Sequence, residues 1–535
     1  MKTIHRSFVG VAVGLGLAAA STAHAGTITD LYTPLPANDG IARTNSTFPN
    51  PGAPFVVAPG VTQTILFQGD SPSGLTLPRG GNGAQGPSFD QIAINTVGPD
   101  AGRYLFTVTE TNGNSGVVRF DKQTGVATLI AQPPNGQRFD MARFTPWGTV
   151  VAAEETSSRL PGSPAGLAPT ANNGVVYEVI NPLGSPSDPN PANRPTVVAR
   201  TALGSIAHEG YAQDKNGNIY VADENFPGAL YRFVPANDPK NFNPKDPSTS
   251  PLAKGQLFAL SISSPTLAPG GGTIGGTGTW VPLNNPDGTP LAGVPDPTVD
   301  ARATVAFLNN PANGDKKIAA FNRPEDIDIR TAANGKTFLY TGATGAALPD
   351  LSGNVLSIEV TDPAAPVVRV FAGQNTIDKA TGLAVGRGFI QPDNVAVDPF
   401  KGTVCFTEDI GNSANPTNGN PPAFPNNGNN PVDDLFCSVD ANNDGVAESI
   451  SRLATLATNF AEPTGVIFDP FVENQLYVNV QHAATGRIDQ FGNFVPDGLT
   501  GNDLIVQFNV PEPATLSLLG MGLTILILTR RRRQI

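Results

Sequence analysis

Cysteine, histidine and charged residues are scarce in this 535-residue chain. It has two cysteines and four histidines, and only 15% of its residues are charged. We find no cysteine-x-x-cysteine metal knuckle, no glycine-rich loop that would cradle phosphate and no Ser-His-Asp order of catalytic residues. The candidate functional groups are therefore the carboxylates.

Basic residues are fewer than acidic ones, 33 against 45, and long helical periodicity is lacking. The formal net charge is −12, and an acidic surface disfavours nucleic acid and anionic polymers as partners. The 58 glycines and 51 prolines indicate many turns between short strands. This composition is typical of an all-β protein that binds cations outside the cytoplasm.

The first 25 residues are typical of a secretory signal peptide. Lys2 and Arg6 provide the positive start, an apolar stretch follows, and Ala23-His-Ala25 provides the cleavage site. There is no twin arginine. We therefore expect export by the general secretory route and loss of residues 1–25.

The C-terminal residues 510–535 resemble a PEP-CTERM sorting signal. Val510-Pro-Glu-Pro513 precedes an apolar segment, 514–529, and the cluster Arg530–Arg533. The resemblance implies a Gram-negative bacterium that makes exopolysaccharide, removal of the tail by an exosortase, and display on the cell envelope, the outer surface or the extracellular matrix. Sixteen apolar residues can span a bilayer only marginally, since about 20 is usual, so a retained transmembrane tail is the alternative.

An acidic residue recurs at the start of six β-rich segments. These residues are Asp90, Asp140, Glu209, Glu325, Asp393 and Glu462. In three segments a second acid follows after 15 residues, namely Glu155, Glu224 and Glu408. Six carboxylates that meet at a shared axis need a cation between them. The repeat predicts a six-bladed β-propeller with loop insertions and a metal-lined centre, because a β-sandwich gives no reason for it.

The strand pattern also suggests domain boundaries. We expect an extended segment over residues 26–85 and the propeller over residues 86–505, followed by the sorting tail. The excess spacing around residues 236–280 and 412–431 suggests loops on one face of the propeller.

Five stretches of the sequence resemble the PhoX family of secreted alkaline phosphatases. They are Phe144-Thr-Pro-Trp-Gly-Thr149 with Ala153-Glu-Glu155, His208-Glu-Gly210 with Tyr231-Arg-Phe-Val-Pro235, Arg323-Pro-Glu325, Pro392-Asp-Asn394, and Glu462-Pro-Thr-Gly465 with Asn479-Val-Gln-His482. The similarity extends over most of the mature chain. It implies a six-bladed propeller with a mixed iron and calcium cluster that hydrolyses phosphate monoesters.

The same resemblance implies roles for individual residues. Asp140, Glu209 and Glu325 would hold iron, and Arg323 would clamp the substrate phosphate. The residues that would serve as calcium ligands are Glu154, Glu155, Asp393, Glu408, Asp409 and Glu462. Asp140 stands where the family has a cysteine ligand to iron, and this harder oxygen ligand favours calcium, magnesium or manganese over iron.

That departure leaves two other functions open. One is a non-catalytic calcium-binding propeller of the extracellular matrix, and the other is a calcium-dependent lactonase or esterase, since the fold alone does not determine the activity.

The sequence supports specific predictions for three further groups of residues. His208 and His482 are expected to hydrogen-bond to metal-ligating carboxylates. Cys405 and Cys437 are expected to form a disulfide in an oxidising compartment, with two buried thiols as the alternative. Asp440, Asn442 and Asp444 have the spacing of an EF-hand-type calcium loop, but Ser451 replaces its last ligand, so an Asn/Asp turn is the alternative.

Overall fold

The described part of the chain is almost entirely β-structure. The computed structural model describes residues 27–37, 53–69, 88–111, 115–134, 136–156, 174–345, 353–409, 433–457, 461–481, 487–488, 494–495 and 503–510. The predicted signal peptide, the predicted tail helix and His482 lie outside these residues. Within them, no helix has the length and apolar character needed to cross a bilayer.

The described residues form thirty strands. The first ten are β1 (Phe55–Val57), β2 (Thr62–Gln68), β3 (Phe89–Ile94), β4 (Tyr104–Thr109), β5 (Val117–Asp121), β6 (Val126–Ala131), β7 (Phe139–Phe144), β8 (Val150–Glu154), β9 (Val176–Ile180) and β10 (Thr196–Ala199). The next seven are β11 (His208–Gln213), β12 (Ile219–Asp223), β13 (Leu230–Pro235), β14 (Gly255–Ser261), β15 (Thr266–Leu267), β16 (Thr273–Thr277) and β17 (Thr279–Pro282).

The remaining strands follow the single α-helix of the described residues, α1 (Pro297–Asn309). They are β18 (Pro324–Thr331), β19 (Thr337–Ala343), β20 (Asn354–Glu359), β21 (Val367–Ala372), β22 (Pro392–Val397), β23 (Val404–Glu408), β24 (Asp434–Val439), β25 (Ser449–Leu456), β26 (Glu462–Phe468), β27 (Gln475–Gln481), β28 (Arg487–Ile488), β29 (Phe494–Val495) and β30 (Leu504–Asn509). Short 3-10 turns lie at Ile28–Asp30, Pro191–Asn193, Thr201–Leu203, Pro239–Asn241, Pro247–Thr249, Pro251–Ala253, Pro311–Asn313 and Gly386–Gly388.

Six antiparallel sheets form the blades of a propeller. From the innermost strand outward, blade 1 is β3-β4-β5-β6, blade 2 is β7-β8-β9-β10 and blade 3 is β11-β12-β13-β14-β17. Blade 4 is β18-β19-β20-β21-β16-β15, blade 5 is β22-β23-β24-β25-β1 and blade 6 is β26-β27-β30-β2. The six innermost strands pack each against the next and close a ring. The predicted six-bladed β-propeller is confirmed.

Strands β1 and β2 close the ring from the outside. Both lie within the predicted extended segment, yet β1 pairs with β25 at the outer edge of blade 5 and β2 pairs with β30 at the outer edge of blade 6. Phe55 of β1 is buried and its ring lies 5.1 Å from that of Phe508 in β30. The start of the described chain therefore joins the last two blades.

The long insert after blade 3 has more regular structure than its glycine-rich sequence suggests. Within residues 236–280, β14 extends blade 3, and β15 and β16 form the outer edge of blade 4. Outer-edge strands need backbone hydrogen bonds but little side-chain packing, so glycine and threonine suffice there. The helix α1 was not predicted. The second insert, residues 412–431, lies outside the described residues.

The two cysteines form a disulfide inside blade 5. Cys405 of β23 and Cys437 of β24 are direct neighbours in the sheet, with an S–S distance of 2.00 Å. Both are fully buried, so the bridge is structural.

Candidate metal centre

Each innermost strand contains a bulge that changes the direction of one side chain. In blades 1 to 5 the pairing register shifts between the first and the fourth residue of the strand, so the second and third residues form the bulge. The first bulged residue of these strands is always an acid, namely Asp90, Asp140, Glu209, Glu325 and Asp393. A bulge re-aims a side chain at the end of a sheet. These five acids, the first layer, are all buried at the same end of the propeller.

Blade 6 departs from the repeat. Its register shift lies between Thr464 and Ile467, so Gly465 occupies the position of the acid. A Cβ atom at Gly465 would lie 2.6 Å from the carbonyl oxygen of Asp90, and its φ is +57°, so no side chain fits there. Glu462 lies three residues earlier, at the start of β26. The acid predicted for this blade therefore does not share the register of the other five.

A second layer of acids follows the second strand of blades 1, 2, 3 and 5. Its members are Glu110, Glu155, Glu224 and Asp409, and each donates its backbone N–H to a carbonyl just before the innermost strand, at 2.7 to 2.9 Å. Thr344 has this position in blade 4, and its hydroxyl donates to the Glu325 carboxylate. The same backbone contact thus aims the second-layer side chains at the first layer.

The two layers form three groups of three carboxylates. The groups are Asp90, Glu110 and Asp140; Asp140, Glu155 and Glu209; and Glu209, Glu224 and Glu325. Within each group the ligand atoms lie within 4.8 Å of one another. Every group combines a first-layer acid, the second-layer acid of the same blade and the first-layer acid of the next blade. The propeller thus repeats one geometry three times, and Asp140 and Glu209 are shared.

The electrostatics of these groups fit a bound cation. Burial raises the pKa of Asp140 to about 8, and burial together with nearby acids raises the pKa of Asp90 and Glu209 well above the ordinary value. Among the described residues, Asp90 Oδ1, Asp140 Oδ1 and Glu209 Oε2 are buried without a hydrogen-bond partner. Buried acids without donors are costly unless a cation or protons compensate them. The residues present therefore suit metal ions that prefer oxygen ligands.

Asp393, Asp409 and Glu462 continue the acidic lining on the blade 5 and 6 side. Burial raises the pKa of all three, and the negative charge of at least one other acid of the centre raises it further. They do not belong to the three groups. This side of the axis is instead reached by an arginine.

Arg323 lies among the acids. Its Nε donates to Glu224 Oε1 at 2.6 Å, and its Nη2 lies 3.4 Å from Glu325 and 3.5 Å from Asp409. Burial raises the pKa of Glu224, but Arg323, a hydrogen bond with Glu155 and the charge of Arg138 together lower that pKa below the ordinary value. The Arg323 side chain remains 30% exposed, so it can also meet a ligand from solvent.

Arg138 is a second arginine of the centre, and sequence reasoning missed it. It forms ion pairs with Glu155 and with Glu110, the latter at 2.8 Å. Like Arg323, it lies two residues before a first-layer acid and has a positive φ, 45° against 48°. The position of an arginine two residues before a first-layer acid was therefore the sequence signal that could have identified Arg138.

Glu110 was also missed, because the turn of blade 1 is longer and its spacing from Asp90 is 20 residues rather than 15.

Two predicted calcium ligands have other partners. Glu154 accepts hydrogen bonds from the backbone N–H groups of Gln137 and Val175, at 3.1 and 3.2 Å. Glu408 accepts them from Ile390 and Asp434, at 2.8 and 3.1 Å. Both acids are the last residue of a second strand, and they tie neighbouring chain segments together outside the three groups.

The remaining predicted residues lie apart from the groups. His208 is buried, its Nε2 lies 3.1 Å from the carbonyl oxygen of Gly204, and burial lowers its pKa to about 4. In the predicted calcium loop, Asp440 accepts hydrogen bonds from the N–H groups of Asp444 and Gly445. Asn442 also accepts one from Asp444 N. These are the contacts of an Asx-rich turn.

Two family models match parts of the chain. The family described as alkaline phosphatase PhoX matches residues 142–484, and the PEP-CTERM protein-sorting motif matches residues 509–533. No curated protein matches the chain. Both family matches indicate an exported protein.

Solved structures are similar to this chain, and the first of those named here shares its fold. PhoX of Pseudomonas fluorescens in complex with vanadate, described as a transition state analogue, has 16% identity and a TM-score of 0.58, and the match covers 89% of this chain and 97% of that one. The PQQ-bound aldose sugar dehydrogenase of Streptomyces coelicolor has 12% identity, 84% and 98% coverage and a TM-score of 0.36. A gluconolactonase of Xanthomonas campestris has 12% identity, 80% and 88% coverage and the same TM-score.

Proposed function

The chain belongs to the PhoX family of alkaline phosphatases, and we propose that its three carboxylate groups bind the metal ions with which it hydrolyses phosphate monoesters. The observation that carries this proposal is the repeat of one three-carboxylate geometry between blades 1 and 4, with unpartnered oxygens on Asp90, Asp140 and Glu209. Metal ions bound there would supply charge neutralisation for the phosphoryl oxygens and activate the attacking water.

We propose calcium as the main metal. All nine places in the three groups are filled by carboxylates, which calcium prefers, and Asp140 contributes to two groups. Iron can also bind carboxylate ligands. However, Asp140 stands where the family resemblance implies a cysteine ligand to iron, and its oxygen atoms favour calcium.

The two arginines would bind and orient the substrate. Arg323 carries a planar guanidinium that can donate two parallel hydrogen bonds to phosphate oxygens. Its ion pair with Glu224 fixes the guanidinium at the edge of the third carboxylate group. Arg138 has the same relation to Glu155 in the second group. A phosphate between Arg323 and Arg138 would be held by both guanidinium groups. Where no metal is bound, the surrounding carboxylates would repel the phosphate.

The test is metal analysis of the purified protein together with turnover of p-nitrophenyl phosphate, with calcium and after chelation. We expect bound calcium, alkaline turnover that chelation abolishes, and competitive inhibition by orthovanadate, the analogue bound in the Pseudomonas fluorescens structure. Bound calcium without turnover would instead favour a calcium-binding matrix protein. Hydrolysis of lactones without inhibition by vanadate would favour a lactonase.

We also propose that the mature protein spans the residues between the two sorting signals. Removal of residues 1–25, and removal of the tail after residue 510 by an exosortase, would release the protein to the outer surface of a Gram-negative cell, where exopolysaccharide would be its neighbour. Intact-mass measurement of the protein from its native host tests both cleavages. A mass that retains residues 511–535 would contradict release.

A further inference from the structure

The end of the propeller opposite the metal centre has exposed apolar side chains at three neighbouring turns. The acids lie where innermost strands begin, so the turns that end these strands lie at the other end, which we call the distal face. A seven-residue strand such as β27 separates the two ends by about 23 Å. At the distal face Val97, Phe400, Phe471 and Val472 are 37%, 48%, 51% and 46% exposed. We call these four residues the apolar patch.

Contacts between the turns hold the patch together. Lys401 joins the turns of blades 5 and 6, because its Nζ lies 2.9 Å from both Asn474 Oδ1 and Glu473 Oε1. The Phe471 ring lies against Gly102 of the blade 1 turn, where a Cβ atom would come within 2.7 Å of Phe471 Cδ2. The patch therefore spans three blades.

The charges beside the patch are paired. Lys401 is paired with Glu473, and Lys122 is paired with Asp469 at 2.8 Å. Neutralised pairs leave the apolar side chains as the dominant feature of this region. Exposed apolar patches of this kind mark surfaces that bind partners or membranes.

The chain leaves the described structure beside the patch. Strand β30 runs toward the distal face, and Val510 donates its backbone N–H to Asn474 O at 3.0 Å. The apolar segment 514–529 begins four residues later, and four residues span at most about 14 Å. If residues 514–529 insert into a bilayer, Val510 at the distal face must lie within about 14 Å of the lipid.

We propose that, until the sorting tail is removed, the apolar patch rests on the lipid bilayer into which residues 514–529 insert. The phenylalanine and valine side chains of the patch would insert about 5–10 Å into the boundary between headgroups and acyl chains. The acidic centre is at the opposite end, where anionic lipid headgroups do not repel it. The tail and the patch together then hold the metal centre open toward the medium and away from the membrane. This inference does not depend on the proposed hydrolysis.

The test uses the chain with its tail intact, reconstituted into vesicles of phosphatidylethanolamine and phosphatidylglycerol. A Val472→Cys variant is labelled with an environment-sensitive fluorophore, since the two native cysteines are buried in a disulfide. A Leu267→Cys variant is the matched control, because Leu267 is 54% exposed but lies on the outer edge of blade 4. We expect nitroxide-bearing lipids to quench the label at position 472 and to leave the label at position 267 unquenched.

The outcomes separate lipid contact from other coverings of the patch. Equal quenching at both positions, or none at either, would overturn the proposal. A blue shift at position 472 without quenching would also overturn it, because the chain's own tail would then cover the patch. A combined Phe400→Ser and Phe471→Ser substitution should reduce quenching at position 472, whereas Leu267→Ser should not. Both variants should keep their turnover of soluble substrate, because neither site is near the acids.

Discussion

Substitution of Glu209 by glutamine should have opposite effects on stability in the presence and absence of metal. Glu209 belongs to two carboxylate groups, and its Oε2 has no hydrogen-bond partner among the described residues. Two unit charges within 4.8 Å repel by about 3 kcal/mol at an effective dielectric constant of about 20. Without metal, Glu209→Gln removes such repulsions and should stabilise the protein by up to about 3 kcal/mol. The gain is smaller if protons already neutralise the acids, as the raised pKa of Glu209 indicates.

With metal bound, the same substitution removes a ligand from two sites. If the affinity falls 100-fold, the stabilisation by metal falls by about 2.7 kcal/mol. The urea midpoint of Glu209→Gln should therefore be lower than that of the unsubstituted protein in calcium and higher in chelator. Metal content and phosphatase turnover should fall in parallel. A loss of stability that is equal in both conditions would refute the metal-site reasoning.

Glu154→Gln is the matched control. Glu154 is buried too, but its oxygens accept hydrogen bonds from two backbone N–H groups. Glutamine would turn an N–H group toward one of these donors, at a cost of about 1–3 kcal/mol. That loss should be the same with and without metal, and metal content should not change.

Three further predictions concern the arginine, the disulfide and the ring closure. Arg323→Lys should lower kcat/KM for p-nitrophenyl phosphate about 100-fold with metal content unchanged, since lysine keeps the charge but not the two parallel donors; loss of metal would indicate a structural role instead. Replacing both Cys405 and Cys437 by alanine should lower the free energy of unfolding by about 3–4 kcal/mol, because the bridge closes a 32-residue separation, and a change of less than about 1 kcal/mol in urea titrations would contradict this. Phe55→Ala should cost about 3–5 kcal/mol by the same measurement, and an unchanged midpoint would show that β1 contributes little to closure.

The repeated acids were sufficient to predict the propeller and much of its centre. Five of the six acids at strand starts lie in one register, because the pattern of an acid before a β-rich run marks each bulged innermost strand. Glu462 also begins a strand, but the bulge of that strand comes three residues later, at Gly465. The position of a bulge has no sequence signature, so the sequence could not show that Gly465 rather than Glu462 is the first bulged residue.

Neighbouring acids could not be separated by sequence. Glu154 and Glu155 are adjacent, and successive side chains of a strand point to opposite faces, so a one-residue difference decides between a backbone contact and the metal centre. The same ambiguity applies to Glu408 and Asp409. The pairing of β1 with β25 was not predictable, because nothing local in Phe55–Val57 specifies a partner about 400 residues away.

The ring closure by β1 and β2 determines the order in which the chain can be completed. The three carboxylate groups use residues from Asp90 to Glu325. In the export from the N-terminus that we predict from residues 1–25, all these residues would leave the cytoplasm well before the end of the chain. The partners of β1 and β2 end at Leu456 and Asn509, and the first strands to be exported must wait for them. A chain exported in this way would be able to bind the proposed metal ions while the ring is still open, and pairing of β30 with β2 would then close it.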